Sequence, residues 1–150
     1  MSWVSGTLLD SLVFIESDAL DPDRLSAVIG LKTVVAERPG RVETDLDGTA
    51  LDALPGQWIA RTSDRLRSGS VDEHLRFLLG LLRPHRAMLR ELAASPRGRV
   101  WLGLEILSES ESGTALRLDS PLSAAIQELG ADVWEFPPGE IPGGAVPPAT

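Results

Sequence analysis

The sequence predicts an α+β fold in which helices pack on one mixed, mainly antiparallel sheet. Segments with strand and helix patterns alternate between residues 7 and 136, and the first six come in the order strand, helix, strand, strand, helix, strand. Helices separated by strands, with one strand hairpin among them, indicate the α+β class. The order of these six segments is also compatible with a ferredoxin-like arrangement.

One domain is expected over residues 1–136 of the 150-residue chain. A chain of this size can bury roughly two thirds of its unfolded surface, which is enough for one core. Residues 137–150 contain five prolines and three glycines, PPGEIPGGAVPPAT. That composition predicts a flexible tail without regular structure.

The first strand is predicted at 7–16, where apolar residues occur on both faces, as in a central strand covered on both sides. A helix follows, with Asp21 as its N-cap and Pro22 at its first position. Gly30 is placed to end that helix. A second strand is predicted at 31–37.

The middle of the chain begins with a polar, acidic segment at 41–56 that has no hydrophobic periodicity, and we interpret it as a long loop. A strand is predicted at 57–62. The next helix begins at Ser70, which has the capping-box spacing to Glu73. Pro84 is expected to break or kink this helix, and a second helical piece follows it.

The C-terminal third contains a strand at 99–107 with one aliphatic face. After a polar turn, a short strand is predicted at 114–118, and as an edge strand it could pair across a homodimer. A third helix is predicted from Ser120 to Gly130, and the last strand occupies 131–136.

Composition and charge restrict the classes of partner. The chain carries 22 acidic and 14 basic residues, a net charge of -8, which disfavours binding to nucleic acids and to anionic membranes. It has no cysteine, which excludes disulfides, thiolate metal sites and cysteine nucleophiles. No apolar run approaches the ~18 residues of a membrane span. The N-terminus lacks the positive charge of a secretory signal, so we expect a cytoplasmic protein.

The stretch DLDGT at 45–49 resembles the first motif of the haloacid dehalogenase family of phosphatases. In that chemistry a nucleophilic aspartate lies at the end of a buried parallel strand, beside Mg²⁺. The residues before Asp45 are RPGRVET, a turn and a polar loop. We therefore interpret the stretch as a solvated acidic loop, and Asp45 and Asp47 remain weak candidates for a metal site.

The two histidines, His74 and His85, lie on either side of Pro84 and have no HExxH motif or third ligand beside them. We expect both at the surface or partly buried. The chain has no GxSxG motif that would indicate a serine nucleophile. No catalytic residue, structural metal or cofactor is assigned from the sequence.

Two features are candidates for ligand binding. Arg83, Arg86 and Arg90 would lie near one face if the second helical piece continued the first, and guanidinium groups bind phosphate in a bidentate manner. Trp101 alternates with Gly103, which would leave a shallow flat patch beside the indole. The alternatives are a solvated arginine face and a tryptophan in the core.

Five parts of the chain carry a likeness to a known family: LVFIESDALDPDRLSAVIGLK, Trp58, SVDEHLRFLLGLLRPHRAMLREL, VWLGLEIL and LDSPLSAAIQELGADVWEF. Through them the chain resembles a bacterial family known as domain of unknown function 4279 over residues 10–136. The resemblance excludes the loop 41–56 and the tail, and it implies no activity or catalytic residue.

The leading hypothesis for function is a small, non-enzymatic bacterial domain that binds a protein partner in the cytoplasm, in an immunity-like or regulatory role. Its basis is the acidic charge, the small size and the lack of a catalytic motif. The alternative is a domain that binds a small molecule or a phosphate ligand. A Mg²⁺-dependent phosphatase that uses DLDGT is less favoured.

Overall fold

The computed structural model describes residues 7–63, 65–67, 70–107 and 120–136. The polar turn and short strand expected at 108–118 and the tail expected at 137–150 lie outside these residues. The element order is β1 (Thr7–Ser17), α1 (Pro22–Ile29), β2 (Lys32–Glu37), β3 (Gly56–Arg61), α2 (Val71–Leu82), a 3₁₀ turn (Arg83–His85), α3 (Arg86–Ala94), β4 (Arg99–Leu107), α4 (Ser120–Glu128) and β5 (Asp132–Phe136).

The strands form one five-stranded sheet in the order β2-β3-β1-β4-β5. β1 is antiparallel to both β3 and β4, β2 is antiparallel to β3, and β5 is parallel to β4. The first four strands have the order that two split β-α-β units produce, because each unit leaves room for one strand of the other. The predicted α+β class and the mixed, mainly antiparallel sheet are therefore confirmed.

Strand β1 lies in the centre of the sheet and is buried on both faces, as its sequence pattern predicts. Leu12 and Phe14 point to one side and are each 1 % exposed. Val13 and Ile15 point to the other side and are fully buried. Alternation of side chains along a strand allows one segment to serve two apolar clusters in this way.

The helices pack on one side of the sheet and form the helix-side core with it. That core joins strand residues such as Val13, Trp58 and Leu102 to the apolar faces of the helices. The opposite side carries a smaller cluster, which we call the far-side cluster. Its buried members all come from strands: Leu12, Phe14, Ile59, Trp101 and Phe136.

The helix ends follow the signals in the sequence. The Asp21 carboxylate accepts hydrogen bonds from the amides of Asp23 and Arg24, and Gly30 ends α1 with a left-handed φ of 73°. The Ser70 hydroxyl accepts from the Glu73 amide at 3.2 Å at the start of α2. At Pro84 the α-helix gives way to the 3₁₀ turn, as expected for a residue that lacks an amide hydrogen. None of the described helices is long and apolar enough to cross a bilayer.

Residues 38–55 connect β2 to β3, and backbone hydrogen bonds close them into a hairpin-like loop that we call the arm. The segment 41–55 belongs to no helix or strand, in agreement with the long loop that the sequence predicts there, and it carries an isolated bridge between Thr44 and Ala50. The amide of Leu51 donates to the carbonyl of Glu43 at 2.8 Å, and that of Leu54 donates to the carbonyl of Arg41 at 2.8 Å. Backbone bonds hold the arm while most of its side chains face water, so its sequence shows no hydrophobic alternation.

Two glycines test how tightly the sheet and helix α2 are packed. A Cβ at Gly103 would lie 2.8 Å from Leu12 Cδ1 and 3.1 Å from Phe136 Cε1, whereas a Cβ at Gly80 would meet no atom within 4 Å. We expect Gly103→Ala to lower the free energy of unfolding by about 1–3 kcal/mol because it overpacks the far-side cluster. Gly80→Ala should raise it by about 1 kcal/mol through helix propensity. Urea denaturation measures both, and equal stability of the two variants would contradict the prediction.

Glu135 gives the protein a pH-dependent stability. It lies on the same side of β5 as Val133, which packs against the helix-side core. Partial burial raises the pKa of the Glu135 carboxyl above its ordinary value of 4.5. A raised native pKa means that the native state binds the proton more tightly than the unfolded chain, so ionisation of Glu135 destabilises the fold.

We therefore expect Glu135→Gln to be more stable than the wild type at pH 7. The difference in stability should shrink as the pH falls through the raised pKa. Below about pH 4 the Glu135 carboxyl is protonated in both the native and the unfolded state, so the difference should be small. Urea denaturation of both proteins at pH 3.5 and pH 7 measures the difference. A gain in stability of equal size at both pH values would show that the carboxylate charge is not its cause.

Candidate functional site

The DLDGT stretch forms the turn at the tip of the arm. The Asp45 carboxylate oxygen Oδ1 accepts hydrogen bonds from the amides of Asp47 and Thr49, each at 2.9 Å. Gly48 has a left-handed φ of 81°, and its amide donates to the Asp45 carbonyl at 3.1 Å. Aspartate and glycine at these positions are the residues that such turns require. The spelling of the motif is thus accounted for by turn chemistry.

The setting of Asp45 differs from the one that a dehalogenase-type phosphatase needs. Asp45 is exposed at the tip of a hairpin, whereas the family's nucleophile lies at the end of a buried parallel strand. Its carboxylate is already held by two amides of the turn. Among the described residues, no group of three or more histidine, aspartate or glutamate side chains is placed to hold a metal ion. Asp45 and Asp47 therefore have no described third ligand beside them.

The arm carries most of the exposed large hydrophobic side chains in the described part of the chain. Those side chains are Val28, Val42, Leu46 and Leu51, and all but Val28 lie on the arm. Leu46, between the two aspartates of the turn, is fully exposed at 107 %. Solvated leucines are common singly, but three exposed apolar side chains within this one segment are a local concentration.

Charges on the arm are segregated along its length. Its two arginines are at the base, where Arg38 pairs with Asp23 of α1 and Arg41 pairs with Glu37 at 3.0 Å. Residues 43–52 contain acidic residues and no basic ones. The outer part of the arm is therefore apolar and negative, and its base is tied to the body of the domain.

The three candidate arginines lie near different parts of α4 and the turn after it, and they do not share one site. Arg83, in the 3₁₀ turn, lines a groove of about 330 Å³ between α2 and α4. Arg86 donates from Nη1 to Glu128 Oε1 at 3.1 Å, and Arg90 lies beside Gly130. The 3₁₀ turn interrupts the helix and separates Arg83 from the other two. The groove is lined by Arg76, Leu79, Gly80, Arg83, Pro121, Leu122 and Ala125.

Trp101 lies away from the arginines, on the other side of the sheet. It belongs to the far-side cluster and is 5 % exposed. The space above Gly103, where the sequence suggested a flat patch, is occupied by Leu12 and Phe136. The structure therefore separates Trp101 from the three arginines, and the patch expected beside it is absent from the described surface.

A buried polar network connects β1, the end of β3 and α2, and the sequence analysis missed it. Ser11 Oγ lies 2.6 Å from His74 Nδ1 and 2.7 Å from Thr62 Oγ1. Thr62 Oγ1 also donates to Asp10 Oδ1 at 3.2 Å, and Arg61 donates to Asp10 Oδ2 at 2.9 Å. The available signal was the pair Asp10-Ser11 inside an otherwise apolar strand.

His74 is 1 % exposed, so our expectation that it lies at the surface or is only partly buried is wrong. Its imidazole reaches a serine 63 positions away in sequence, a contact that no local pattern shows. The network contains a hydroxyl, an imidazole and a carboxylate, as in serine hydrolases. However, Ser11 is fully buried and Asp10 is 5 % exposed, so a substrate in solvent has no access to the hydroxyl. The contacts therefore act to hold the sheet and α2 together.

Comparison with known proteins identifies a matching family model but no matching individual protein. The family model described as Domain of unknown function (DUF4279) matches residues 11–135, a range that runs from β1 to β5 and through the arm. No curated protein and no solved structure matches the chain.

The buried network can be tested with a serine variant. Ser11→Ala removes one partner from both His74 and Thr62, and we expect a loss of about 1–3 kcal/mol in the free energy of unfolding, since buried polar atoms lose a hydrogen bond. Ser63→Ala, at an exposed position near the end of β3, is the control and should change stability little. Chemical denaturation measures both. Equal stability of the two variants would show that the network contributes nothing.

Proposed function

Because the chain belongs to the family described as Domain of unknown function (DUF4279), which names no activity, we propose a function from its surface. The chain is a non-enzymatic protein-interaction domain, and the arm is its recognition element. The observation that carries this proposal is Leu46, which is fully exposed at the tip of the hairpin.

Because the Leu46 side chain is fully exposed, it contributes nothing to the packing of the domain. Transfer of a leucine side chain from water to an apolar pocket is favourable by about 1.5–3 kcal/mol, and that free energy remains available for binding. Val42 and Leu51, which are 54 % and 50 % exposed on the same arm, extend the apolar contact. A partner with a matching pocket would bury Leu46 at the tip of the arm.

The charges on the arm indicate the chemistry of the partner. Asp45 and Asp47 flank Leu46, and residues 43–52 carry no positive charge. An apolar pocket with lysines or arginines on its rim would complement this surface, and the ion pairs would favour the correct orientation and a faster association. The expected partner is therefore a protein with a basic surface around a small hydrophobic pocket.

The arm is also held in one conformation before a partner arrives. The paired backbone, the Asp45 turn and the ion pair between Arg38 and Asp23 all restrict it. A segment ordered in advance loses less conformational entropy on binding than a flexible loop does. This favours a hairpin that inserts into a partner over a loop that folds on contact.

We place this domain in the cytoplasm of a bacterium, in an immunity-like or regulatory role. An acidic protein that inserts a negative, apolar arm can cover a basic functional surface of another protein and so block it. The net charge of -8 supports a basic protein partner over nucleic acid. The proposal does not require the domain to carry out any chemistry.

The proposal is tested by capture of the partner with arm variants of the full chain. Wild-type, Leu46→Asp and Val28→Asp proteins are tagged and used as bait in the native host. Val28 is the matched control because it is 40 % exposed on α1, outside the arm. We expect one stoichiometric partner with the wild type and Val28→Asp, and at least a tenfold loss of affinity for Leu46→Asp. A partner retained equally by all three would show that the arm is not the recognition element.

A photo-cross-linking residue at position 46 supplies direct proof of contact. The cross-link should form with the same partner and map to an apolar pocket with basic neighbours. Asp47→Lys should weaken binding most at low salt, because it reverses a charge that faces the basic rim. Absence of any partner, or a cross-link that maps to an acidic surface, would contradict the proposal.

A further inference from the structure

We propose that the groove between α2 and α4 binds a small organic anion, with its acidic head at Arg83 and its apolar body along Leu79 and Ala125. The ligand class is a phosphate or carboxylate attached to a compact apolar group. This site lies on the helical layer, and its existence does not depend on the protein-binding role of the arm.

The charge of the groove favours an anion. Arg76 and Arg83 line it, and none of the described lining residues is acidic, in a chain whose net charge is -8. Arg76 is oriented by Asp72, whose carboxylate accepts from its Nε at 3.0 Å. The Arg83 backbone bonds within the helical turns, but its guanidinium has no hydrogen bond or ion pair with any described residue, so it can donate to an anionic head in a bidentate manner.

The remaining lining is apolar and suited to the body of such a ligand. Leu79 and Leu122 line the groove and are 8 % and 3 % exposed, and Pro121 and Ala125 line the α4 side. The volume of about 330 Å³ lies at the lower end of the range for small-molecule pockets. Among the described residues, the lining therefore combines the Arg83 guanidinium with an apolar wall. Neither inorganic phosphate nor a neutral hydrocarbon would contact both.

Gly80 is a third, independent observation. It lies inside α2, where glycine costs about 1 kcal/mol relative to alanine. Close packing does not explain it, because a Cβ at this position would meet no atom within 4 Å. Gly80 does line the groove, and a larger side chain there would project into the space assigned to the ligand. A glycine at this position keeps the groove open.

The same geometry separates Arg83 from its neighbours in sequence. Arg86 pairs with Glu128, and Arg90 lies beside Gly130 at the far end of α4, so neither lines the groove. Of the three arginines that the sequence suggested for ligand binding, the structure assigns this role to Arg83.

The test is a titration of the ¹⁵N-labelled full chain with phenyl phosphate, followed by amide chemical shifts. We expect saturable shifts centred on Leu79, Gly80 and Ala125. Arg83→Gln should weaken binding at least tenfold. Arg24→Gln is the matched control, since Arg24 is an exposed arginine on α1, and it should bind as the wild type does. Weak shifts that do not saturate, or equal affinity of the two variants, would overturn the proposal.

A second variant and two further probes test the shape of the site. Gly80→Leu should abolish the shifts while the spectrum remains well dispersed, because the side chain occupies the groove. Inorganic phosphate should bind at least tenfold more weakly than phenyl phosphate, and benzoate in its place identifies whether a carboxylate head is also accepted. Undiminished binding by Gly80→Leu, or inorganic phosphate as tight as phenyl phosphate, would place the anion elsewhere and refute the assignment.

Discussion

Strand β1 is hydrogen-bonded along both edges and buried on both faces, and the other elements are arranged around this constraint. It pairs with β3 on one side and β4 on the other, and its side chains enter the helix-side core and the far-side cluster in turn. A polar group in such a strand must find its partners inside the protein. Asp10 and Ser11 do so through Thr62, Arg61 and His74, and in this way the constraint reaches β3 and α2.

The surfaces that we assign to recognition lie outside this core for a physical reason. The arm is exposed over most of its length and is held by backbone bonds, so Leu46 takes no part in the packing of the domain. The groove lies between two helices, where Gly80 leaves a space that the core does not fill. Residues on both surfaces can therefore be substituted at little cost to the stability of the fold. Gly103 and Ser11, in contrast, are enclosed by other atoms.

Much of the fold was predictable because its signals are local. Asp21, Gly30, Ser70 and Pro84 each act through their own turn of the backbone, and the helices begin and end where they indicate. The arm was predicted as a loop, but its internal backbone hydrogen bonds were missed because its exposed side chains leave no apolar alternation to detect. The burial of His74 was missed because its partner Ser11 comes from a distant strand. Of the candidate site, the sequence supplied Arg83 but not the groove beside it.

The sequence by itself determined the α+β class, the helix ends and the acidic charge, since these depend on composition and on contacts within a few residues. The tertiary structure decided which residues meet. It placed Arg83 against α4, put Trp101 on the opposite side of the sheet, and made the DLDGT stretch the tip of a hairpin. Such contacts depend on how strands and helices pair across long separations, and the same local patterns are compatible with several pairings.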